Sequence, residues 1–385
     1  MQSLLIIGPA HPLRGGLATF NQRLAQEFEN EGFNCSIVSF SLQYPSILFP
    51  GKTQYSDEPA PQNLKIHSII NSVNPANWIK IGNLLCKWKP DVIVVRFWIP
   101  FIAPALGTIL RRIRRNKHTK IICIADNIIP HEHRLADRNF TRYFLKACDA
   151  YITMSEKVLK DLRKFIPEDS FGETQRPALL VQHPLYDNFG EKVPQEEARS
   201  YLKLNPTDKI VLFFGFIRKY KGLDLLLRAM SDQKIKKENI KLLIAGEFYE
   251  DEKKYLQIIK ENRLQDCVIL QNYFIADHEV KYYLCASDAV IQPYRNATQS
   301  GVTPLAYHFE IPMIVTNVGG LPALVPHEKA GLVCAPTATS IAEAILHFYQ
   351  LGKNYFIPHL RVEKQKYSWA TMTDAILKLA EGIKK

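Results

Sequence analysis

Two stretches of the chain decide its fold: LLIIGPAHPLRGG at residues 4–16 and IVLFFGFIRKYKG at residues 210–222. Each is a short apolar run followed by a glycine loop with cations, and then by a helical pattern that begins at Leu17 or Leu223. Open parallel sheets bind ligands beyond the carboxyl ends of their strands, and helix N-termini favour phosphate. Two such stretches predict two nucleotide-binding-type α/β domains.

The pattern continues outward from both stretches. Short apolar runs alternate with helical segments through each half of the chain, which indicates parallel strands joined by crossover helices. Between the halves, residues 183–209 are rich in proline and charge and suit a surface connection. We therefore place the domain boundary near Asp187. A length of 385 residues is comfortable for two domains.

The charge of the chain indicates an anionic partner. The formal net charge is +11. Residues 1–185 hold 23 Lys and Arg against 15 Asp and Glu, which leaves +8 of that excess in the first half. Such a field attracts nucleotides, phospholipid surfaces or nucleic acid. No recognised module or aromatic stripe accompanies the charge, so nucleic acid is the least favoured of the three.

Cysteines and the N-terminus predict a cytoplasmic protein. The seven cysteines are an odd number and include no C-x-x-C pair, which is typical of buried thiols in a reducing compartment. No basic region precedes the first apolar run, so a signal sequence is not expected. The apolar segment 92–110 leaves a membrane anchor as an alternative, although Pro100 and Pro104 favour a buried strand followed by a helix.

Several nucleotide-binding motifs are absent or incomplete. Neither glycine loop spells G-x-G-x-x-G, which disfavours a nicotinamide dehydrogenase. Gly51-Lys52-Thr53 ends like a phosphate-binding P-loop, but Ser46 replaces the first glycine. No Asp-x-Asp pair occurs to clamp a divalent metal on a diphosphate. We expect no metal and no cofactor, and we expect cations of the protein to neutralise the diphosphate.

The second glycine loop is the leading candidate for that task. Gly215 and Gly222 permit tight turns, and Arg218 and Lys221 place positive charge at a helix start. A departing diphosphate gains negative charge, so fixed cations there stabilise the transition state more than the ground state. Lys221 is the strongest single candidate. An ordinary solvated basic turn is the alternative.

Two other turns offer hydrogen-bond donors to a ligand. Gly15 and Gly16 precede the first helix, so their N–H groups are candidates to face a donor phosphate, although an ordinary strand-to-helix turn also uses glycines. Gln299, Ser300 and Gly301 form a polar turn at the start of a later helix, with side-chain and backbone donors.

ADNIIPHE at residues 125–132 follows a predicted buried strand, and therefore lies where ligands bind. An ionised Asp126 is able to accept hydrogen bonds from ligand hydroxyls but not to donate them, and His131, Glu132 and Asn127 lie close in sequence. The alternative is that Asp126 or Asn127 caps a helix and His131 is ion-paired.

These motifs resemble the retaining glycosyltransferases of family 4. The resemblance rests on GFIRKYKG at 215–222, on QSG at 299–301 with PMIVTNVGGLP at 312–322, and on RGG at 14–16. It implies the GT-B fold, with two Rossmann-like α/β/α domains facing across a cleft. The first domain (1–186, with a C-terminal helix at about 367–385 packed on it) would hold the acceptor, and the second (187–366) the nucleotide.

The resemblance also implies residue roles, with three departures. Asp126 stands where many relatives have a histidine that faces the donor sugar. Ala297 and Leu305 stand where relatives often have two glutamates, and Phe216 stands where an arginine follows the first glycine. We therefore assign catalysis to Asp126, His131, Arg218 and Lys221. We assign binding of the sugar donor to Gly15, Gly16, Gly215, Arg218, Lys221, Gln299, Ser300 and Gly301. We assign the acceptor side to Asn127 and Glu132.

The predicted function is metal-independent sugar transfer, with retention, from a nucleotide diphosphate to a glycan or lipid-linked acceptor. The alternatives are a nucleotide-sugar 2-epimerase of similar fold and a catalytically silent nucleotide-sugar-binding protein. The basic run RRIRRNKHTK at 111–120 is either a solvated helix end or a surface that meets anionic lipid, at the inner face of a membrane.

Overall fold

The computed structural model of the chain divides into two α/β units. The first comprises residues 1–183 together with 369–385, and the second comprises residues 184–368. The ranges that the structure describes are 2–45, 53–56, 59–129, 137–166, 176–297 and 300–384.

The first unit is built on a seven-stranded parallel sheet. Its strands lie in the order β3-β2-β1-β4-β5-β6-β7. They are β1 (Ser3–Ile7), β2 (Asn34–Leu42), β3 (Lys65–Asn71), β4 (Val92–Phe97), β5 (Lys120–Ala125), β6 (Ala150–Thr153) and β7 (Ala178–Leu180). The neighbouring strands β1, β4 and β5 are apolar and almost entirely buried, as expected for strands covered on both faces.

Helices cover both faces of this sheet. They are α1 (Gly16–Asn30), α2 (Pro75–Trp88), α3 (Ala103–Ile113), α4 (Asp137–Leu145), α5 (Glu156–Arg163) and α15 (Trp369–Gly382). Alternate strand residues such as Ile93, Val95 and Phe97 join one buried cluster with α2, α3 and α4. The residues between them point to the opposite face. That face carries α1 and α15, which meet where the rings of Phe20 and Trp369 lie 4.9 Å apart.

The second unit repeats the architecture with six parallel strands in the order β10-β9-β8-β11-β12-β13. They are β8 (Lys209–Phe214), β9 (Ile240–Ala245), β10 (Val268–Gln271), β11 (Ala289–Gln292), β12 (Met313–Thr316) and β13 (Gly331–Cys334). The helices are α6 (Gln195–Tyr201), α7 (Leu223–Met230), α8 (Gln233–Lys237), α9 (Lys253–Glu261), α10 (Val280–Ala286), α11 (Val302–His308), α12 (Leu321–Leu324), α13 (Ala338–Leu351) and α14 (Lys353–Lys364).

Both sheets reverse their strand order once. The reversal falls between β1 and β4 in the first unit and between β8 and β11 in the second. Connections leave the sheet toward opposite sides at such a point, which opens a crevice outside the carboxyl ends of the two strands. Ligand sites are therefore expected at the loops that follow β1, β4, β8 and β11.

The apolar segment 92–110 folds as part of the first unit. It forms β4, then a 3₁₀ turn over Pro100–Ile102, and then most of α3. Pro100 begins the turn and Pro104 lies in the first turn of α3, where the missing N–H groups are tolerated. Among the described residues, no helix is both long enough and apolar enough to cross a membrane.

Candidate active site

The loop after β8 is shaped by glycines that let neighbouring backbones touch. Gly215 has φ of 90°, a conformation that favours glycine. A Cβ added at Gly246, directly after β9, would lie 2.2 Å from the Gly215 carbonyl oxygen. A Cβ added at Gly222, where φ is 69°, would lie 2.0 Å from the Pro293 carbonyl oxygen after β11. The loops after β8, β9 and β11 therefore touch one another through their backbones along one edge of the sheet.

Lys221 lies within this packed edge. It ends the 3₁₀ turn Lys219–Lys221, just before α7. Its Nζ is 3.2 Å from the position of a Cβ added at Gly215, and 5.8 Å from the centre of the Tyr294 ring. The side chain is half-buried. Among the described residues, Nζ has neither a hydrogen bond nor an ion pair.

The charged form of Lys221 is therefore destabilised relative to the neutral form. Burial, and then the nearby Arg218 charge, lower the pKa of Lys221 to about 7. Arg218 is exposed, and its guanidinium lies 4.9 Å from the centre of the Tyr249 ring. Two adjacent cations without a carboxylate favour an anionic ligand, since its charge relieves their repulsion and raises the lysine pKa.

The start of α11 joins the same edge. Val302 approaches Gly215, with its Cγ2 4.0 Å from an added Cβ at that glycine. Ser300 is 6% exposed, and its Oγ accepts a hydrogen bond from the Val302 N–H at 3.2 Å. The structure thus brings together Gly215, Lys221, Ser300 and Gly301. Gln299 lies outside the described residues.

The positions where relatives carry glutamates are filled by apolar packing. Ala297 is 2% exposed, and a Cβ added at Gly319 would lie 1.6 Å from its carbonyl oxygen. Leu305 is buried within α11. A buried carboxylate that the sequence analysis missed is Glu247, directly after Gly246 at the carboxyl end of β9. Its place immediately after a strand and a glycine was the available signal.

A cluster of half-buried aromatic rings lies beside Arg218. The Phe216 ring centre is 4.3 Å from that of Tyr249 and 6.0 Å from that of Phe274. The three residues come from the loops after β8, β9 and β10. Phe216 therefore stands among aromatic side chains, where the family pattern has an arginine. The sequence analysis did not identify this cluster, because its members are distant along the chain.

In the first unit, the glycine loop leads into a long helix, as the residue pattern predicts. Gly15 has φ of 101° and precedes α1 without a side-chain cap. Its carbonyl oxygen accepts hydrogen bonds from the N–H groups of Ala18 at 2.9 Å and Thr19 at 3.2 Å. Gly16 is the first residue of α1. A donor phosphate at this turn stays a prediction.

Asp126 is paired with a buried arginine. Its carboxylate accepts two hydrogen bonds from Arg96, both at 2.6 Å, from Nε and Nη2. Burial raises the pKa of Asp126, against the opposing effect of the Arg96 charge. Its further role as an acceptor for sugar hydroxyls stays a prediction. The alternative of a helix cap is wrong for Asp126, because residues 126–129 form no helix.

Arg96 is the partner that the sequence analysis did not assign. It is 2% exposed on β4, and its guanidinium lies 3.8 Å from the centre of the Phe20 ring on α1. Its Nη1 is buried and has no hydrogen-bond partner within the described ranges. The signal was an arginine alone in an apolar strand, because a buried cation requires a carboxylate.

The remaining candidates of this loop are only partly placed. Asn127 is half-buried directly after Asp126. His131 and Glu132 lie outside the described residues. The assignment of catalysis to His131 and of the acceptor side to Asn127 and Glu132 therefore stays a prediction.

The basic run at 111–120 begins in the last turn of α3, and its four arginines have different surroundings. Arg111 lies 3.7 Å from the centre of the Tyr143 ring and donates to the Gly107 and Tyr143 carbonyl oxygens. Arg114 is ion-paired with Asp149. Of the four, only Arg115 is exposed, while Arg112 is half-buried. Two of the four arginines therefore fasten α3 to its neighbours.

Within the described part of the chain, no three His, Cys, Asp or Glu side chains are grouped to hold a metal ion.

Comparison with known families follows the two units. The profile described as Glycosyltransferase Family 4 matches residues 14–170, and the profile described as Glycosyl transferases group 1 matches residues 194–358. Together the two matches span most of the chain. The chain belongs to the GT-B glycosyltransferases. Its parallel sheets and their switch points are the two Rossmann-like domains of that fold.

Solved structures support the fold at low sequence identity. The sucrose-phosphate synthase of Thermosynechococcus elongatus superposes with a TM-score of 0.75 at 15% identity, covering 99% of this chain and 98% of that one. Anabaena HepE, solved in complex with UDP and glucose, superposes with a TM-score of 0.73 at 14% identity, covering 99% and 100%. This GT-B glycosyltransferase therefore shares their architecture.

Among curated relatives, the putative teichuronic acid biosynthesis glycosyltransferase TuaC of Bacillus subtilis is 23% identical over 222 residues, covering 58% of this chain and 52% of TuaC. The chain spans about half or less of the curated relatives that it matches.

Proposed function

We propose that the protein transfers a sugar from a nucleotide-diphosphate donor to a hydroxyl of an acceptor. The observation that carries this proposal is the pair of cations at the edge of β8. Arg218 lies close enough to Lys221 to lower its pKa, neither cation has an ion pair among the described residues, and both stand beside a glycine turn and the start of α11. That arrangement is suited to a diphosphate.

In the proposed reaction, the bond between the sugar's anomeric carbon and the diphosphate oxygen breaks, and the acceptor oxygen bonds to that carbon. The acceptor proton passes to the departing diphosphate. Negative charge therefore grows on the leaving group, where Lys221 and Arg218 act most strongly. Family resemblance supports retention, and the absence of an Asp-x-Asp pair supports a metal-free reaction.

The aromatic cluster suits the nucleobase of the same donor. Phe216, Tyr249 and Phe274 are half-buried next to Arg218, so a base stacked on them leaves its diphosphate near the cations. Stacking of a base on an aromatic ring contributes about 1–3 kcal/mol. This arrangement assigns a role to Phe216, at a position where relatives have an arginine.

For the first unit, we propose that Arg96 and Asp126 act as one group that faces sugar or acceptor hydroxyls. Asp126 accepts, and the buried Nη1 of Arg96 supplies the donor that an ionised carboxylate lacks. Arg96 thereby replaces part of the hydrogen bonding expected from the histidine of relatives. A glycan or lipid-linked acceptor is proposed because TuaC is named for teichuronic acid biosynthesis.

The test is a thermal-shift screen with UDP-, GDP- and ADP-sugars, followed by product analysis with the sugar that binds. A ligand of the native state raises its melting temperature. We expect one nucleotide class to stabilise the protein, and Lys221→Ala to lose most of that shift. Lys219→Ala is the matched control, because Lys219 is exposed in the same turn.

Product analysis separates sugar transfer from its two rivals. Transfer to an added glycan or lipid-linked acceptor supports the proposal. Formation of the epimeric nucleotide sugar alone would identify a 2-epimerase. Binding without any turnover, across a panel of acceptors, would identify a silent binding protein.

A further inference from the structure

We propose that Tyr294 is a positioning residue of the donor site: its ring holds the ammonium of Lys221 without neutralising it, and its hydroxyl orients Ser300 toward the ligand. Tyr294 lies two residues after the end of β11, beside the point where the strand order of the second unit reverses. This role rests on the proposed function, because Lys221 and Ser300 are both assigned to the nucleotide-diphosphate donor.

The backbone around Tyr294 is fixed to its neighbours. The preceding residue touches Gly222 through the backbone. The following residue, Arg295, donates its N–H to the Tyr220 carbonyl oxygen at 2.7 Å. The carbonyl oxygen of Tyr294 itself accepts a hydrogen bond from Thr316 Oγ1 at 2.6 Å. The side chain is 3% exposed. The loop after β11 therefore holds this side chain in one place against the glycine turn that carries Lys221.

The ring of Tyr294 stands beside Lys221, where a counterion would usually stand. Nζ of Lys221 lies 5.8 Å from the ring centre, within the distance of about 6 Å at which an aromatic ring attracts a cation. A carboxylate at this place would neutralise the ammonium and compete with the diphosphate. The ring attracts through its quadrupole and carries no net charge. It therefore orients Lys221 and leaves the positive charge for an anionic ligand.

The same contact affects the pKa of Lys221. Burial, and then the charge of Arg218, lower that pKa to about 7. Attraction to the ring of Tyr294 stabilises the ammonium form and opposes both effects. Removing the ring should therefore lower the pKa further, so that Lys221 loses its charge at a lower pH than in the unchanged protein.

The hydroxyl of Tyr294 connects this ring to the start of α11. It lies 3.3 Å from Ser300 Oγ, which also accepts the Val302 N–H at 3.2 Å. Burial raises the pKa of Tyr294, so the phenol keeps its proton and is able to donate it to Ser300. A serine hydroxyl accepts two hydrogen bonds and donates one. With both acceptor positions filled from within the protein, the hydrogen of Ser300 is left for a phosphate or sugar oxygen.

The test compares Tyr294→Phe, which keeps the ring, with Tyr294→Leu, which removes the ring and the hydroxyl. Initial rates are measured against donor concentration at a series of pH values. Tyr294→Phe should raise the KM for the donor by about two- to tenfold, with kcat and the pH profile unchanged, because one hydrogen bond that orients a ligand-binding group is lost. Tyr294→Leu should raise KM as well. It should also shift the decline in kcat/KM to lower pH, by about 0.5–1.5 units.

A second measurement follows Lys221 in the free protein and needs no transfer activity. NMR titration of the labelled lysine side chains gives the pKa of Lys221 directly, with its signal assigned by its loss in Lys221→Ala. Tyr294→Leu should lower this pKa by about 0.5–1.5 units, and Tyr294→Phe should leave it unchanged. Tyr294→Met, which is closer in volume, is used if Tyr294→Leu does not fold. A protein with these pKa values that transfers no sugar would refute the proposed function and uphold the contact between Tyr294 and Lys221.

Tyr151→Phe is the matched control. Tyr151 is buried on β6 of the first unit, and its hydroxyl donates to the Leu145 carbonyl oxygen at 2.6 Å. Losing this buried phenol hydrogen bond should lower the melting temperature about as much as Tyr294→Phe does, and should leave the donor KM and the pH profile unchanged.

Three outcomes overturn the role of Tyr294. They are an unchanged pKa of Lys221 in the folded Leu or Met variant, an unchanged donor KM in Tyr294→Phe, and an equal rise in donor KM in the control Tyr151→Phe.

Discussion

Each unit places a cation at the carboxyl edge of its sheet, next to the point where the strand order reverses, but the two cations are treated in opposite ways. In the first unit, Arg96 is almost fully buried and holds Asp126 through two hydrogen bonds of 2.6 Å. In the second unit, Lys221 is half-buried, and its charged neighbour is Arg218.

Arg96 already has a counterion within the protein, whereas Lys221 has none among the described residues and is suited to an anionic ligand. A buried ion pair loses little when nothing else binds, since each charge already has its counterion. An unneutralised pair of cations is unfavourable until an anion arrives. The second edge is therefore the stronger candidate for the diphosphate. At the first edge, Nη1 of Arg96 lacks a hydrogen-bond partner within the described residues, as do Oγ1 of Thr153 at the end of β6 and Oγ of Ser72 after β3.

The largest effect, on the free energy of unfolding, is expected on removing the ion pair between Arg96 and Asp126. Asp126→Ala leaves the Arg96 charge buried without its counterion, which should lower stability by about 3–5 kcal/mol. The measurement is the loss of hydrogen-exchange protection in the amides of β4 and β5. Asp224→Ala is the comparison, because it removes a partly exposed pair with Arg295, and should cost only about 0–1 kcal/mol.

A second variant keeps this prediction testable if Asp126→Ala fails to fold. Replacing both partners, Arg96→Met with Asp126→Leu, removes the unpaired charge and should recover much of the lost stability. A double variant as unstable as the single one would show that the pair is not the cause.

Breaking the second edge should affect turnover and leave stability unchanged. We expect Lys221→Ala to lower kcat by more than about tenfold, because a cation that stabilises the leaving diphosphate is lost. Its melting temperature without ligand should not fall, since Lys221 makes no ion pair among the described residues. Lys219→Ala should retain normal turnover. Near-normal transfer by a folded Lys221→Ala protein would refute the role.

The pH dependence sharpens the comparison further. With the pKa of Lys221 lowered to about 7, the free enzyme loses this charge as the pH rises through neutrality. The value of kcat/KM for the donor should therefore decline above about pH 7. Bound diphosphate raises the pKa, so kcat should persist to higher pH. Lys221→Arg, which stays charged, should remove the decline in kcat/KM, and an unchanged profile would contradict the assignment.

The smallest expected effect is that of a chelator. If protein cations replace a metal at the diphosphate, excess EDTA should leave the transfer rate unchanged. Complete loss, with recovery on adding magnesium or manganese, would show that a metal takes part.

The candidate site was partly predictable from sequence. The glycines at 215 and 222 and the cations between them are local, and a strand-to-helix turn places them together whatever the rest of the fold does. Arg96 and Asp126 are separated by 30 positions, and only the pairing of β4 with β5 makes them neighbours. The aromatic cluster likewise needs the loops after β8, β9 and β10 to meet.

The sequence alone therefore determined the two parallel-sheet units and the turn that carries Lys221, because periodicity and glycine spacing act over a few residues. Only the tertiary structure decided which charges are neutralised and that Arg111 and Arg114 are used internally. The physical reason is that burial and pairing depend on strand order and helix packing, which join residues that are far apart along the chain.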